Sequence, residues 1–120
     1  MSVQGRGPLF VTLLTAQTVD ETTSQPVDLR GYSSLTIWQT GAGTISSGVL
    51  TIEEAPYDPR TVGAYGGTWS AITTLDPTQV SGGATQAYHA SGDRAYSFVR
   101  VRISTAIGGG GSLSATLTAS

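Results

Sequence analysis

Apolar residues in this chain alternate with polar ones in short runs, and no window carries them at helical spacing over three turns. Val, Ile, Thr and aromatic residues recur in blocks of five to nine, punctuated by Gly, Pro, Asp and Ser, which is the pattern of β-strands joined by turns. The first strand is predicted over 8–15, with Leu9, Val11 and Leu13 on one face and Phe10 and Leu14 on the other. Pro8 fits at its start, where a missing N–H is harmless. A polar stretch over 17–25 leads into a short strand or bend at 26–29. The run 32–40 places Leu35 and Ile37 opposite Thr36 and Trp38, and 48–55 places Leu50 and Ile52 opposite Val49 and Thr51. Further strands are predicted over 68–75, with Trp69 and Ile72 as core residues, and over 85–90. The strand at 95–104 has Phe98, Arg100 and Arg102 on one face and Val99, Val101 and Ile103 on the other. The last strand, 112–119, turns Leu113, Ala115 and Leu117 inward, and Ser112, Ser114, Thr116 and Thr118 outward. The glycines at 108–111 read as a flexible tip joining these last two strands into a hairpin.

About eight strands with turn chemistry between them imply an all-β domain, a single antiparallel β-sandwich of jelly-roll or immunoglobulin-like topology over residues 8–120. Residues 1–7 carry two glycines and little to bury, and read as a flexible arm. The segment 56–67 reads as a twelve-residue loop, long enough to suggest contact with a partner.

Composition narrows the functional classes. Charged residues are only 12% of the chain, and Gly, Ser and Thr together make 48 of the 120 residues. Lysine is absent and the six basic residues are scattered arginines, so a net charge of −2 gives no electrostatic footprint for nucleic acid. Without cysteine there is no disulfide framework, thiol chemistry or Cys-based metal site. No apolar run is long enough for a membrane-spanning helix, and the N-terminus lacks the basic-then-apolar order of a secretory signal.

Few residues offer chemistry. His89 is the lone histidine, and no nucleophile-elbow motif accompanies it, so it reads as a strand histidine beside Tyr88. Glu53 and Glu54 are adjacent in a strand and point to opposite faces, which precludes a shared carboxylate site. Asp58 adds too little acidic density for a calcium loop. Neither an enzymatic site, a metal nor a cofactor is expected. Arg100 and Arg102 share one strand face, and two readings stand: a surface for partner carboxylates, or cross-strand pairing with Glu53 or Glu54. Trp38, Trp69, Tyr57 and Tyr65 either line a sugar-stacking platform or serve packing, Trp69 in the core and Trp38 near an edge.

The segments Val27-Asp-Leu-Arg-Gly-Tyr32, Gly48-Val-Leu-Thr-Ile-Glu-Glu-Ala55, Gly67-Thr-Trp-Ser-Ala-Ile72 and Ser97-Phe-Val-Arg-Val-Arg-Ile103, followed by the glycine-rich turn, resemble small β-sandwich virion proteins of tailed bacteriophages. The nearest likeness is to head decoration, or cement, proteins, and it spans residues 27–118. The same order is also similar to tail-fibre and carbohydrate-binding jelly rolls. The resemblance implies a protein made in the host cytoplasm that sits on the capsid exterior, contacts the major capsid protein and itself as a dimer or trimer, and stabilises the shell. The partner contacts expected on that reading are Ser2, Val3, Gln4 and Arg6 of the arm, Tyr57, Arg60 and Tyr65 of the loop, and Arg100 and Arg102 of the strand. A receptor- or glycan-binding module of a tail or fibre is the alternative.

Overall fold

A computed structural model of the chain describes residues 7–56, 68–91 and 98–120. Among them are eight strands: β1 (Leu9–Gln17), β2 (Val27–Asp28), β3 (Ser34–Ala42), β4 (Ser47–Ala55), β5 (Ser70–Leu75), β6 (Thr85–Ser91), β7 (Phe98–Gly108) and β8 (Ser112–Ala119). One 3-10 turn, Pro77–Val80, follows β5 and is capped by Asp76, whose Oδ1 accepts from the Thr78 backbone N–H at 3.0 Å.

The strands form two four-stranded antiparallel sheets, ordered β1-β8-β3-β6 and β2-β7-β4-β5. The pairing is nested: β1 with β8, β2 with β7, β3 with β6, β4 with β5. That is one long hairpin with its tip between β4 and β5. Rolling the hairpin lays β8 on β3 and β7 on β4, which closes both sheets. The result is a jelly-roll sandwich, which decides between the two topologies the pattern allowed.

The expected hairpin between the last two strands does not form, because β7 and β8 lie in different sheets. Residues 108–111 are a crossover packed against the neighbouring β3–β4 crossover. Ser46 N–H donates to the Gly108 carbonyl at 2.8 Å. A Cβ at Gly109 or Gly111 would meet the Thr44 carbonyl oxygen, and Gly111 is buried, so these glycines permit close backbone approach between crossovers. β7 also runs past the expected end at 104, because it stays paired with β4 as far as Ser47 opposite Gly108.

The core is the space between the sheets. Ile37, Leu50, Ile52, Val99, Val101, Ile103, Leu113 and Leu117 are fully buried in it. The expected inward residues of β3, β4, β7 and β8 all take part. β1 departs from simple alternation. Register shifts at Thr12/Leu14 and Leu14/Gln17 turn both Leu13 and Leu14 inward, while Phe10 stays 70% exposed. Val80 of the 3-10 turn closes one end of the core. Beside it, the fully buried Gln39 side chain donates to the Asp76 carbonyl (3.0 Å) and to Gln86 Oε1 (2.8 Å), an anchor that the alternation alone did not single out.

Candidate functional site

The two outer faces of the sandwich differ in chemistry. The outer face of β2-β7-β4-β5 carries charge. Glu53 stands opposite Arg100 in the β4–β7 ladder, and Thr51 opposite Arg102. Residues of one parity therefore gather on one side of the sheet. Arg100 Nε donates to one Glu53 oxygen at 2.8 Å and Arg102 Nε to the other at 3.1 Å. Arg102 Nη1 also donates to Glu21 at 2.9 Å. Glu21 is brought there by the segment after β1, which runs beside β7 with Glu21 N–H donating to the Ile103 carbonyl at 2.7 Å. Arg100 lies over the Trp69 ring, 4.3 Å from its centroid.

The Glu53 side chain, held by both arginines, is only 7% exposed. The hydrogen bond that Arg102 donates to Glu53 raises the Arg102 pKa, against a smaller opposing effect of desolvation. Of the two readings of Arg100 and Arg102, the cross-strand one is therefore realised. Trp69 is a correction: it is half-buried under Arg100 rather than a member of the core. The outer position of Arg100 requires an outer-face partner, and no alternation rule applies to Trp69, which precedes β5.

The outer face of β1-β8-β3-β6 is the opposite. None of these four strands contains Asp, Glu, Lys or Arg. Cross-strand register sets the face out in rows. One row runs Phe10, Thr118, Thr36, His89, and the next Thr12, Thr116, Trp38, Ala87. Thr36 Oγ1 and His89 Nδ1 are 2.9 Å apart, and Thr40 and Thr85 hydroxyls 3.2 Å apart. Phe10 and Trp38 are large apolar side chains left exposed here. At one end of the face an open cleft of about 420 Å³ is lined by Phe10, Ser34, Thr36, His89, Thr118 and Ser120, among others. Its walls combine an aromatic ring, an imidazole and hydroxyl groups, with no Asp, Glu or Arg side chain in the lining.

Ser2, Val3, Gln4, Arg6, Tyr57, Arg60 and Tyr65 lie outside the described residues. Among the described residues no three His, Asp or Glu side chains converge to hold a metal ion, and no helix is long and apolar enough to cross a membrane. His89 sits on the outer face of β6, beside Thr36 rather than a carboxylate. The exposed pair Phe10 and Trp38 was legible only as outward parity. Its meaning comes from the absence of charge on all four strands that the fold gathers into one sheet. No protein-family model matches the chain, and no curated protein matches it in sequence.

Proposed function

We propose that the protein is a non-enzymatic virion structural protein of the decoration type, seated on the exterior of a phage head and contacting the major capsid protein through the β1-β8-β3-β6 face. The observation that carries this reading is that charge-free face with Phe10 and Trp38 exposed. Exposed apolar side chains set in a polar surround mark contact surfaces. Arg100 and Arg102, first candidates for partner contact, are occupied by Glu53 and Glu21, which favours the opposite face. A shell displaying many copies of a weak site is stabilised by mass action when the ligand binds only the assembled form. The resemblance to small β-sandwich virion proteins of tailed phages supports a structural role in the particle.

The test is co-sedimentation of the purified protein with expanded tailed-phage shells stripped of accessory proteins. Saturable binding at a fixed copy number per capsomer is expected. Trp38→Ser combined with Phe10→Ser should lower the occupancy at least about tenfold while the fold persists. No binding by the natural chain overturns the decoration role.

The cleft at the end of the same face favours a second reading, a glycan-binding module of a tail or fibre. Neutral sugars are recognised by ring stacking and hydroxyl hydrogen bonds, both present around Phe10, Thr36, His89 and Thr118. Glycan capture by the natural chain that is lost in Phe10→Ala, without shell binding, would select this reading.

A further inference from the structure

We infer that the outer edge of β6 pairs with β6 of a second copy of this chain, giving a two-fold dimer built on one continuous eight-stranded sheet.

Half of the backbone groups of β6 are already used by β3. Gly41 N–H donates to the Ala84 carbonyl, and the two residues are in register with the β3–β6 ladder. In an antiparallel ladder hydrogen-bonded and non-hydrogen-bonded pairs alternate. Gln86, Tyr88 and Ala90 therefore turn their backbone N–H and C=O toward β3, and Thr85, Ala87, His89 and Ser91 turn theirs away. Two further observations fix this parity. On the other side of β3, Ser34 exchanges both backbone bonds with Ser120, so its even-numbered residues face β8 and its odd-numbered ones face β6. The close side-chain contacts Thr36–His89 and Thr40–Thr85 fall at the non-hydrogen-bonded pairs, where side chains approach most closely.

The other three sheet edges are blunted. β1 is broken by two register shifts and by Ala16 at φ 49°. β2 is two residues long, and the β4–β5 ladder is interrupted at Ile52/Glu53. β6 alone pairs regularly with its neighbour over all seven residues, Ser34 opposite Ser91 through Thr40 opposite Thr85. It contains no proline and no charge, the two usual guards of an exposed edge. Among the described residues nothing bonds to its outer side.

A second copy fits that edge because the free groups are self-complementary. With Tyr88 opposite Tyr88 of the second copy, Thr85 faces Ser91, Ala87 faces His89, and the converse pairs follow by symmetry. Every outward N–H and C=O of the strand is then used, in about eight backbone hydrogen bonds. The contact is isologous and closes after two copies. No like charges meet across it, since β6 has none. The two-fold axis is perpendicular to the sheet, so the Phe10 and Trp38 faces of both copies lie side by side. The inference stands whether or not the proposed shell docking does, because its test contains no shell.

Parity makes the test selective. Ala87→Pro removes an N–H that points away from β3, and proline is tolerated at such an edge position. Sedimentation equilibrium of the natural chain should give a dimer at micromolar concentration. Ala87→Pro should give a folded monomer, its dissociation constant raised at least about tenfold. A natural chain that is monomeric or trimeric overturns the proposal, and so does an Ala87→Pro variant that remains dimeric. If Ala87→Pro does not fold, amide hydrogen exchange of the natural chain decides. Ala87 and His89 amides as slow as Tyr88 support the dimer, and fast exchange at both overturns it.

Discussion

The two outer faces are built by the same rule and put to opposite uses. On β2-β7-β4-β5, Thr51 and Glu53 of β4 meet Arg100, Arg102 and Ser104 of β7, and the charges are spent on one another: two arginines share one nearly buried glutamate. On β1-β8-β3-β6, the outer face is Thr and Ser with Phe10, Trp38, Ala87 and His89, and its polar groups make local hydroxyl and imidazole contacts that leave Phe10 and Trp38 facing solvent. A face that satisfies its own charges has little left to offer a partner. A face without charge offers apolar area that no partner must desolvate at high cost. On the proposed reading, charge density is a poor guide to the contact surface.

Substitutions can break this contrast. The largest effect on stability is expected from Glu53→Gln, which leaves two partly buried arginines competing for one neutral oxygen. A loss of about 2–4 kcal/mol is expected in urea denaturation, below the full cost of breaking a deeply buried pair because both arginines retain some solvent. Trp69→Ala removes the ring under Arg100 and is expected to cost about 1–2 kcal/mol by the same measurement. Trp38→Ser should cost about 1–2 kcal/mol, comparable with Trp69→Ala, since the ring is only 39% exposed and its covered part loses packing. Arg30→Ala breaks a pair with Asp28 that is about half solvent-exposed on the arginine side, and less than about 1 kcal/mol should be lost.

The same contrast predicts a salt response. Binding through the charge-free face should change by less than about threefold between low and physiological salt, because no exposed ion pairs contribute to it. A steep loss of shell binding with salt would return the contact surface to the charged residues.

Much of the architecture was legible in the chain. Alternation placed Leu35, Ile37, Leu50, Ile52, Val99, Val101, Ile103, Leu113 and Leu117 inside, and all of them are buried. It works because a strand has a strict side-chain period of two and a sandwich buries one face of each sheet. It failed at β1, where register shifts turn Leu14 inward, since a bulge changes parity without a signature in residue type. It does not reach Trp69, which was expected in the core but lies before its strand with Arg100 over its ring.

The sequence by itself determined that this protein is made of about eight short strands, which side of most strands is apolar, and that its charges are few and its cations at neutral pH all arginine side chains. Only the tertiary structure decided which strands share a sheet. Residues 108–111 signal a reversal of the chain, and a reversal reads the same whether the next strand pairs with the last or crosses to the opposite sheet. The choice rests on long-range pairing, β1 with β8 and β3 with β8, whose partners lie far apart in sequence and whose register is fixed by burying both apolar faces at once. That same choice gathers four uncharged strands into one face and leaves β6 at its edge. The candidate contact surfaces of this protein are thus consequences of sheet order rather than of any motif.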